Sequence, residues 1–485
     1  MADLNQKTEQ RSKVYICALF VFVLFFLYSV IFGYSAQNPR LVAGALIFMA
    51  VLLFSYFSAS NVFLALVFFI PYLIGADAYQ INIGSFLQNF ISVKDLYINP
   101  FSLSCLVILF FAGIELIKKK GLLFKIPLSF VLPASAILSL VIFLQSKYKM
   151  DGLVFELYLI SGFAAYFLGY LFMGKKEKYL ELLSIVVLSS IIPAVFAISQ
   201  LLMGDYLYEG DSGLGRIRGT FPHSNTFGSY LFVVLTVAAV AFFSVKKKSA
   251  GNRKNIEKFL KFIPLAILFL FLILTYSRTA WIGFALSLLA IGLVRPYFRI
   301  PLVYLGSLAA ALVLVFEKTR ERIAGIFESH MFDSMYGRRE IWDMALFAAK
   351  KSPIFGYGIG TFENTIRNVQ GKESGNVYPH NDFIRFFLEG GILGIVLYFL
   401  YMLGAIYYSV KSYIRYPKGE EEIYFWGKNF SIDFKMLGMI PLLLFTIMIP
   451  ISLVEAPSMD FVYQIFAWTI LGSWLGACSQ FKLKN

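Results

Sequence analysis

Long apolar runs separated by short polar links dominate the chain, and reading them one by one gives candidate membrane spans at 14–34, 41–59, 62–76, 101–117, 126–144, 153–173, 179–202, 223–245, 262–276, 279–294, 301–316, 382–409, 436–454 and 460–478. A helix crossing the hydrocarbon needs about 20 apolar residues. The runs at 62–76, 262–276 and 301–316 fall short of that and are candidates for re-entrant or tilted segments. The pattern predicts an all-α polytopic membrane protein of about 12 to 14 transmembrane helices. The first run follows Lys7, Arg11 and Lys13 and is longer than the apolar core of a cleaved signal peptide, which makes it an uncleaved first span. One long polar interruption, 317–381, divides the chain into spans with short loops (1–316), a large partly helical loop (317–381) and a closing set of spans (382–485). The sequence shows no internal repeat, heptad seam or inverted pair of broken helices.

Composition strengthens this picture. Of 485 residues, 59% are hydrophobic and 15% charged, at a mean hydropathy of +0.72, which excludes soluble, disordered and disulfide-scaffold classes. Cys17, Cys105 and Cys478 lie far apart in apolar runs and read as small buried hydrophobes. A net charge of +14 would suggest nucleic acid in a soluble protein, but here it sorts by side of the membrane. With the N-terminus in the cytoplasm, the cytoplasmic segments hold 26 of the 43 Lys and Arg, among them the stretch KKKSAGNRKNIEKFLK at 246–261. Positive charge retained inside fixes the orientation: both termini cytoplasmic, with the loops 203–222 and 317–381 on the outer face.

The 65 residues of 317–381 far exceed what a helix connection requires. Anchors such as Phe316, Ile323, Phe327, Trp342 and Phe355 argue for order. Trp342, Ala345, Leu346 and Ala349 share one helical face, which predicts a helix over 339–351 lying along the membrane surface. Arg278, in LTYSRTAWIG between two apolar runs, is costly unless it faces water or an anion. The topology puts Arg278, Arg338, Arg339, His380, Arg216 and Arg218 on the same side. Guanidinium groups pair bidentately with phosphate oxygens, so arginines gathered beside a histidine at a membrane surface suit a diphosphate on a lipid. Plainer roles stand beside this one: Arg278 snorkelling to headgroups, Arg338 and Arg339 at a helix start, Asn381 and Asp382 as helix caps, His223 as an interface marker and His330 without a partner. The glycines of GYGIG (Gly356, Gly358, Gly360) follow no strand and read as a flexible turn rather than a phosphate loop. The loop's carboxylates form no metal-binding spacing and no opposed catalytic pair.

Four segments in order, SRTAWIG at 277–283, GRREIW at 337–342, SPIFGYGIGTF at 352–362 and HNDFIRFFLEGGILG at 380–394, resemble the membrane superfamily of O-antigen ligases and O-antigen polymerases; RGTFPHSN at 218–225 matches a further segment through Arg218 and Asn225. The strong likeness covers about residues 210–400. It implies a metal-independent, cofactor-free, inverting glycosyltransferase of the inner (cytoplasmic) membrane that moves a glycan en bloc from undecaprenyl diphosphate to an acceptor on the periplasmic face. By motif position, the resemblance implies that Arg278 and Arg338 bind the diphosphate and that His380 accepts the acceptor hydroxyl's proton. Arg339, Arg218, Arg216, Asn225, Asn381 and Trp342 stand as further substrate-binding candidates. Arg338 is favoured over Arg339 by the Gly-Arg-x-x-x-Trp spacing to Trp342. The 218–225 segment tips the likeness towards a polymerase acting on a second lipid-linked glycan, with a chain-length regulator as a possible partner; a ligase would use lipid A core. Besides donor and acceptor, the partners are membrane lipids and no nucleic acid. A flippase for the same lipid is the reading from another class. It would place ionisable groups deep in the spans, where Glu156 is the clearest acid and Glu181 sits near a span end.

Overall fold

The computed structural model describes residues 59–73, 81–82, 97–98, 100–118, 126–203, 216–246, 254–295, 331–371, 377–425 and 428–479, with the single positions 299, 303, 306–307 and 320. The expected spans at 14–34, nearly all of 41–59 and most of 301–316, and His330, lie outside the described residues, as do Phe316, Ile323 and Phe327.

The remaining expected spans appear as helices: α1 Ala59–Leu73, α2 Pro100–Lys118, α3 Val131–Leu144, α4 Lys149–Phe172, α5 Lys176–Leu188 with α6 Ile191–Met203, α7 Ser224–Ser244, α8 Lys254–Leu274 and α9 Arg278–Val294. After them come α10 Met331–Ala349 and α11 Phe362–Gln370, and then α12 Asp382–Arg415, α13 Phe434–Leu437, α14 Met439–Ile451 and α15 Phe461–Ser479. Six segments are long and apolar enough to cross a bilayer: Asp151–Phe172, Lys176–Leu202, Ser224–Ser244, Asp382–Arg415, Phe434–Ile451 and Phe461–Ser479. The chain is a polytopic, mostly helical membrane protein.

Helix α15 is buried on every side from Val462 to Ala477, the signature of a helix at the centre of a bundle. Its principal neighbour is α4. Lipid tails provide no hydrophobic drive for helices to associate, so close contact depends on small residues that let backbones meet. Here a Cβ on Gly472 would lie 2.0 Å from the Tyr166 carbonyl oxygen, and one on Gly169 would lie 2.4 Å from that of Thr469. Trp468 and Trp474 fill the space between these crossings and α12 to α14.

The bundle has two distinct ends. At one, a three-stranded antiparallel sheet that the sequence did not suggest orders β1 (Val245–Lys246), β3 (Lys428–Ile432) and β2 (Glu421–Phe425), with Val245 opposite Ile432 and Glu421 opposite Ile432. At the other end lie the starts of α4, α7, α9, α12 and α15, the end of α14, and the cap formed by α10 and α11. Ala345, Ala348, Ala349, Phe362, Ile366, Val377 and Leu388 form a separate small core there.

Two local expectations need correction at this cap. The buried face of α10 carries Ala345, Ala348 and Ala349, while Leu346 is 37% exposed. The helix packs its alanines on α12, where their small size permits a close approach, and does not lie free on the surface with Leu346 inward. The GYGIG segment is no flexible turn. Gly356, Gly358 and Gly360 all have positive φ (66°, 104° and 73°), and a Cβ on Gly358 would lie 2.2 Å from Ser146 Cα. The segment is needed because α12 breaks at Gly391 (φ 58°, ψ −144°). The break frees four backbone groups that a helix would have paired with each other. Pro353 and Ile354 carbonyls accept from the N–H groups of Ile392 (2.8 Å) and Leu393 (3.3 Å), and the N–H groups of Tyr357 and Gly358 donate to the Leu388 (3.1 Å) and Glu389 (2.7 Å) carbonyls. A membrane-embedded helix tolerates a break only where such partners exist.

Candidate functional site

The site is built on the start of α12. Asn381 caps the helix by accepting from the Ile384 N–H at 2.9 Å, and its amide donates to the Leu453 carbonyl at 2.9 Å. Asp382, fully buried, receives the Ser452 hydroxyl at 3.0 Å, the Ser458 N–H at 3.1 Å and the Ser458 hydroxyl; Arg385 donates to that same hydroxyl at 2.7 Å. Arg385 in turn meets Glu389 at 3.2 Å and covers the Phe155 ring at 4.0 Å. These bonds lock the 452–458 link between α14 and α15 onto α12. Tyr378 adds a bond to the Ala456 carbonyl at 3.3 Å. Burial first, and then the carboxylates Glu455, Asp382 and Asp460, hold its phenol well above the usual tyrosine range.

His380 sits immediately before this clamp with φ +47°, a left-handed backbone that an L-residue adopts only under constraint. Its constraints come from both sides. Trp342 of α10 donates from its indole to the Pro379 carbonyl at 2.7 Å, and Asn381 is fixed as the cap. The imidazole Nδ1 lies 2.9 Å from Glu455 Oε1, and its ring meets the Tyr378 ring edge-on at 4.8 Å. The other carboxylate oxygen of Glu455 is 3.5 Å from Asn225 Nδ2 and 4.0 Å from Arg338 Nη2. Arg338 also donates to the Val454 carbonyl at 2.9 Å.

Asn225, in the first turn of α7, accepts from Arg216 at 2.5 Å, and Arg216 donates to the Thr275 carbonyl at 2.8 Å. That carbonyl belongs to the turn that opens α9, where Arg278 stands half-buried with Arg338 acting on it as a like charge. Among the described residues, Arg278 makes no ion pair and no side-chain hydrogen bond.

Five separate segments, around 216–225, 275–278, 338–342, 378–382 and 453–460, therefore meet at one end of the bundle. The structure brings together His380, Arg338, Arg216, Asn225, Asn381 and Trp342, and sets Arg278 beside them. Asn381 and Trp342 have clear structural duties there. Arg218 is held apart by its bond to the Pro222 carbonyl at 2.9 Å. Arg339 points away: its side chain is 76% exposed and pairs with Asp343 along its own helix at 3.9 Å. The sequence reading missed Glu455. The topological argument that gathered the arginines would have found it, because SLVEAPSMD links two spans on the same face. It also missed the Asp382, Arg385 and Glu389 group, whose spacing of three and four residues puts one charged face inside an apolar run.

Parts of the chain are similar to known proteins. The family model described as O-antigen ligase matches residues 263–399, which include Arg278, Arg338, His380 and the kinked part of α12. The chain is also 25% identical over 257 residues to the exopolysaccharide production protein ExoQ of Rhizobium meliloti (strain 1021), a match covering 48% of this chain. The chain spans about half of that relative, 56% of its length. Residues 263–399 are thus similar to the family described as O-antigen ligase, and about half of the chain is similar to a protein named for exopolysaccharide production.

Proposed function

We propose that the protein transfers a glycan en bloc from undecaprenyl diphosphate to an acceptor hydroxyl on the periplasmic face of the bacterial inner membrane. The observation that carries this reading is the meeting of Arg278, Arg338 and His380 from three distant segments, with the Arg278 guanidinium left without a carboxylate among the described residues. Buried charges are costly unless paired, so a half-buried guanidinium with no carboxylate partner among the described residues, and with a second guanidinium acting on it, supports an anion-binding role. The orientation rests on the distribution of Lys and Arg between the two sides.

In this mechanism the acceptor oxygen attacks the anomeric carbon of the donor sugar, a new glycosidic C–O bond forms, and the bond from that carbon to the diphosphate breaks. The electron pair leaves with undecaprenyl diphosphate, whose added charge falls on the arginines. The hydroxyl proton passes to His380 Nε2, the nitrogen not bonded to Glu455. A single displacement inverts the anomeric centre.

A polymerase acting on a second lipid-linked glycan is favoured over a ligase by the RGTFPHSN segment and by the relative named for exopolysaccharide production. The ligase reading, with lipid A core as acceptor, draws on the description of the family model. Purified protein supplied with a lipid-linked donor and acceptor tests the activity. Longer glycan should appear with the wild type and be absent with His380→Ala expressed at the same level. Near-normal transfer by that variant removes His380 from the mechanism, and no product from the wild type returns the field to the flippase. In cells lacking the gene, a single repeat unit on core points to a polymerase, and bare core with accumulated carrier-linked polymer points to a ligase.

A further inference from the structure

We propose that Glu455 is a positioning residue that aims His380 at the acceptor hydroxyl, and that donor binding completes its hold by drawing Arg338 away to the diphosphate. The inference rests on the transferase reading above.

The two carboxylate oxygens have different partners at different distances. Oε1 is 2.9 Å from His380 Nδ1 and 3.4 Å from the Ala456 N–H, so it lies within full hydrogen-bond reach of the ring. Oε2 is 3.5 Å from Asn225 and 4.0 Å from Arg338, contacts too long to be strong. An ionised carboxylate only accepts, so the bond to Nδ1 carries the ring proton there and leaves the lone pair on Nε2. Without Glu455, the ring contact that remains among the described residues is the edge of Tyr378. At 10% side-chain exposure, Glu455 acts through little water.

The loose side of the carboxylate faces the donor site. Arg338 keeps a firm bond to the Val454 carbonyl and only a distant one to Glu455, so its guanidinium can turn a fork towards a phosphate without losing its anchor. Until then Glu455 supplies part of the counter-charge that the phosphate later provides. Among the described residues, the charged and titratable groups around it are Arg338 from α10, His380 and Tyr378 from the segment before α12, Arg216 through Asn225 at the start of α7, and Asp460 before α15. Once a diphosphate has taken Arg338, the carboxylate no longer shares its charge with that distant guanidinium, and the histidine remains its strong partner among the described residues. Activation of the acceptor is thereby tied to occupancy by the donor.

The test measures kcat and donor KM of glycan transfer by the full-length protein in lipid nanodiscs, for the wild type, His380→Ala, Glu455→Gln and Glu455→Asp. Glu455→Gln keeps the shape and loses the charge; kcat should fall on the order of 100-fold, the size of a general-base contribution, with donor KM unchanged or lower. Glu455→Asp keeps the charge on a shorter stem; it should lose about 10-fold in kcat and so recover part of the loss. Should the glutamine variant fail to fold, the aspartate variant decides alone: wild-type kcat there overturns the proposal. So does a Glu455→Gln kcat within about threefold of wild type, or a loss confined to donor KM. An inactive His380→Ala alongside an active Glu455→Gln would sink the role of Glu455 and leave the transferase reading standing, whereas an inactive wild type would sink that reading itself.

Discussion

The two ends of the bundle treat charge in opposite ways. At the sheet end, basic groups that reach the protein are neutralised by acids. Lys176 pairs with Glu421 and lies over the Tyr416 and Phe434 rings at 5.7 and 5.4 Å, Arg295 pairs with Asp433, and Lys178 meets Glu181 at 2.7 Å. At the other end, Arg218 and Arg338 are held at the backbone carbonyls of Pro222 and Val454, which fix position without cancelling charge, although the buried Arg385 beneath them meets Glu389. A carbonyl orients a guanidinium and leaves most of its attraction for a ligand. The contrast separates scaffold from site more sharply than burial does.

The sharpest way to break this contrast is to remove one arginine from each end. Arg278→Ala should lower glycan transfer by about 100- to 1000-fold, the usual cost of losing one donor to a developing oxyanion, and leave thermal stability close to wild type. Arg295→Ala should do the reverse, lowering the melting temperature because Asp433 is left without its cation while transfer stays within a few fold. Transfer assays and thermal melts on the same two preparations decide it. Equal loss of activity in both variants would mean that the ends do not divide labour as described.

A second test concerns how the unpaired end is kept rigid. Gly391→Ala forces an L-residue into φ 58° and places a Cβ 2.4 Å from the Ile354 carbonyl carbon, so the 353–358 segment must leave the break in α12. The expected cost is on the order of 1–3 kcal/mol, with a loss of transfer as the start of α12 loosens. Thermal unfolding that matches wild type would show that the segment does not brace the helix. The corresponding change at Gly419 (φ 145°), a turn at the sheet end with nothing within 4 Å of its Cβ, should carry only the backbone penalty and spare transfer.

The sequence showed the bundle more fully than the site, for a physical reason. A span is a local property: about 20 apolar residues state it by themselves, and every expected span within the described residues is a helix. The side of the membrane on which each arginine lies also follows from counting spans, which is how Arg278, Arg338, Arg216 and His380 could be grouped. Partners across the site are not local. Glu455 lies 75 residues from His380, and Val454 lies 116 from Arg338, so neither bond leaves a periodicity to read. The glycines of GYGIG misled because the break they brace, at Gly391, is 35 and 33 residues away from Gly356 and Gly358. In the sequence Arg338 is set apart from Arg339 by its spacing to Trp342; in the structure the two differ in the direction of their side chains from α10.

The smallest effect expected from the contrast concerns acids. Asp433 at the sheet end has Arg295, whereas Asp460 at the site end is buried with no base paired to it among the described residues. Burial pushes the Asp460 carboxyl up to about 7, against bonds from the Tyr463 N–H and Ser229 that lower it and the like charge of Glu455 that raises it. A carboxyl whose value in the folded state is raised binds its proton more tightly there than in the unfolded chain, so folding is penalised by its ionisation. The penalty is absent below the ordinary value of 3.8, grows as pH rises towards 7, and is constant above that. Stability should therefore fall between about pH 4 and 7 through this group. Asp460→Asn keeps an oxygen for the Tyr463 N–H and Ser229 and cannot ionise, so melting temperatures measured from pH 5 to 8 should decline less steeply in the variant, with the gain greatest at the alkaline end. Parallel curves for variant and wild type would show that Asp460 is neutralised in the folded protein by a partner and that the site end stores less uncompensated charge than its geometry implies.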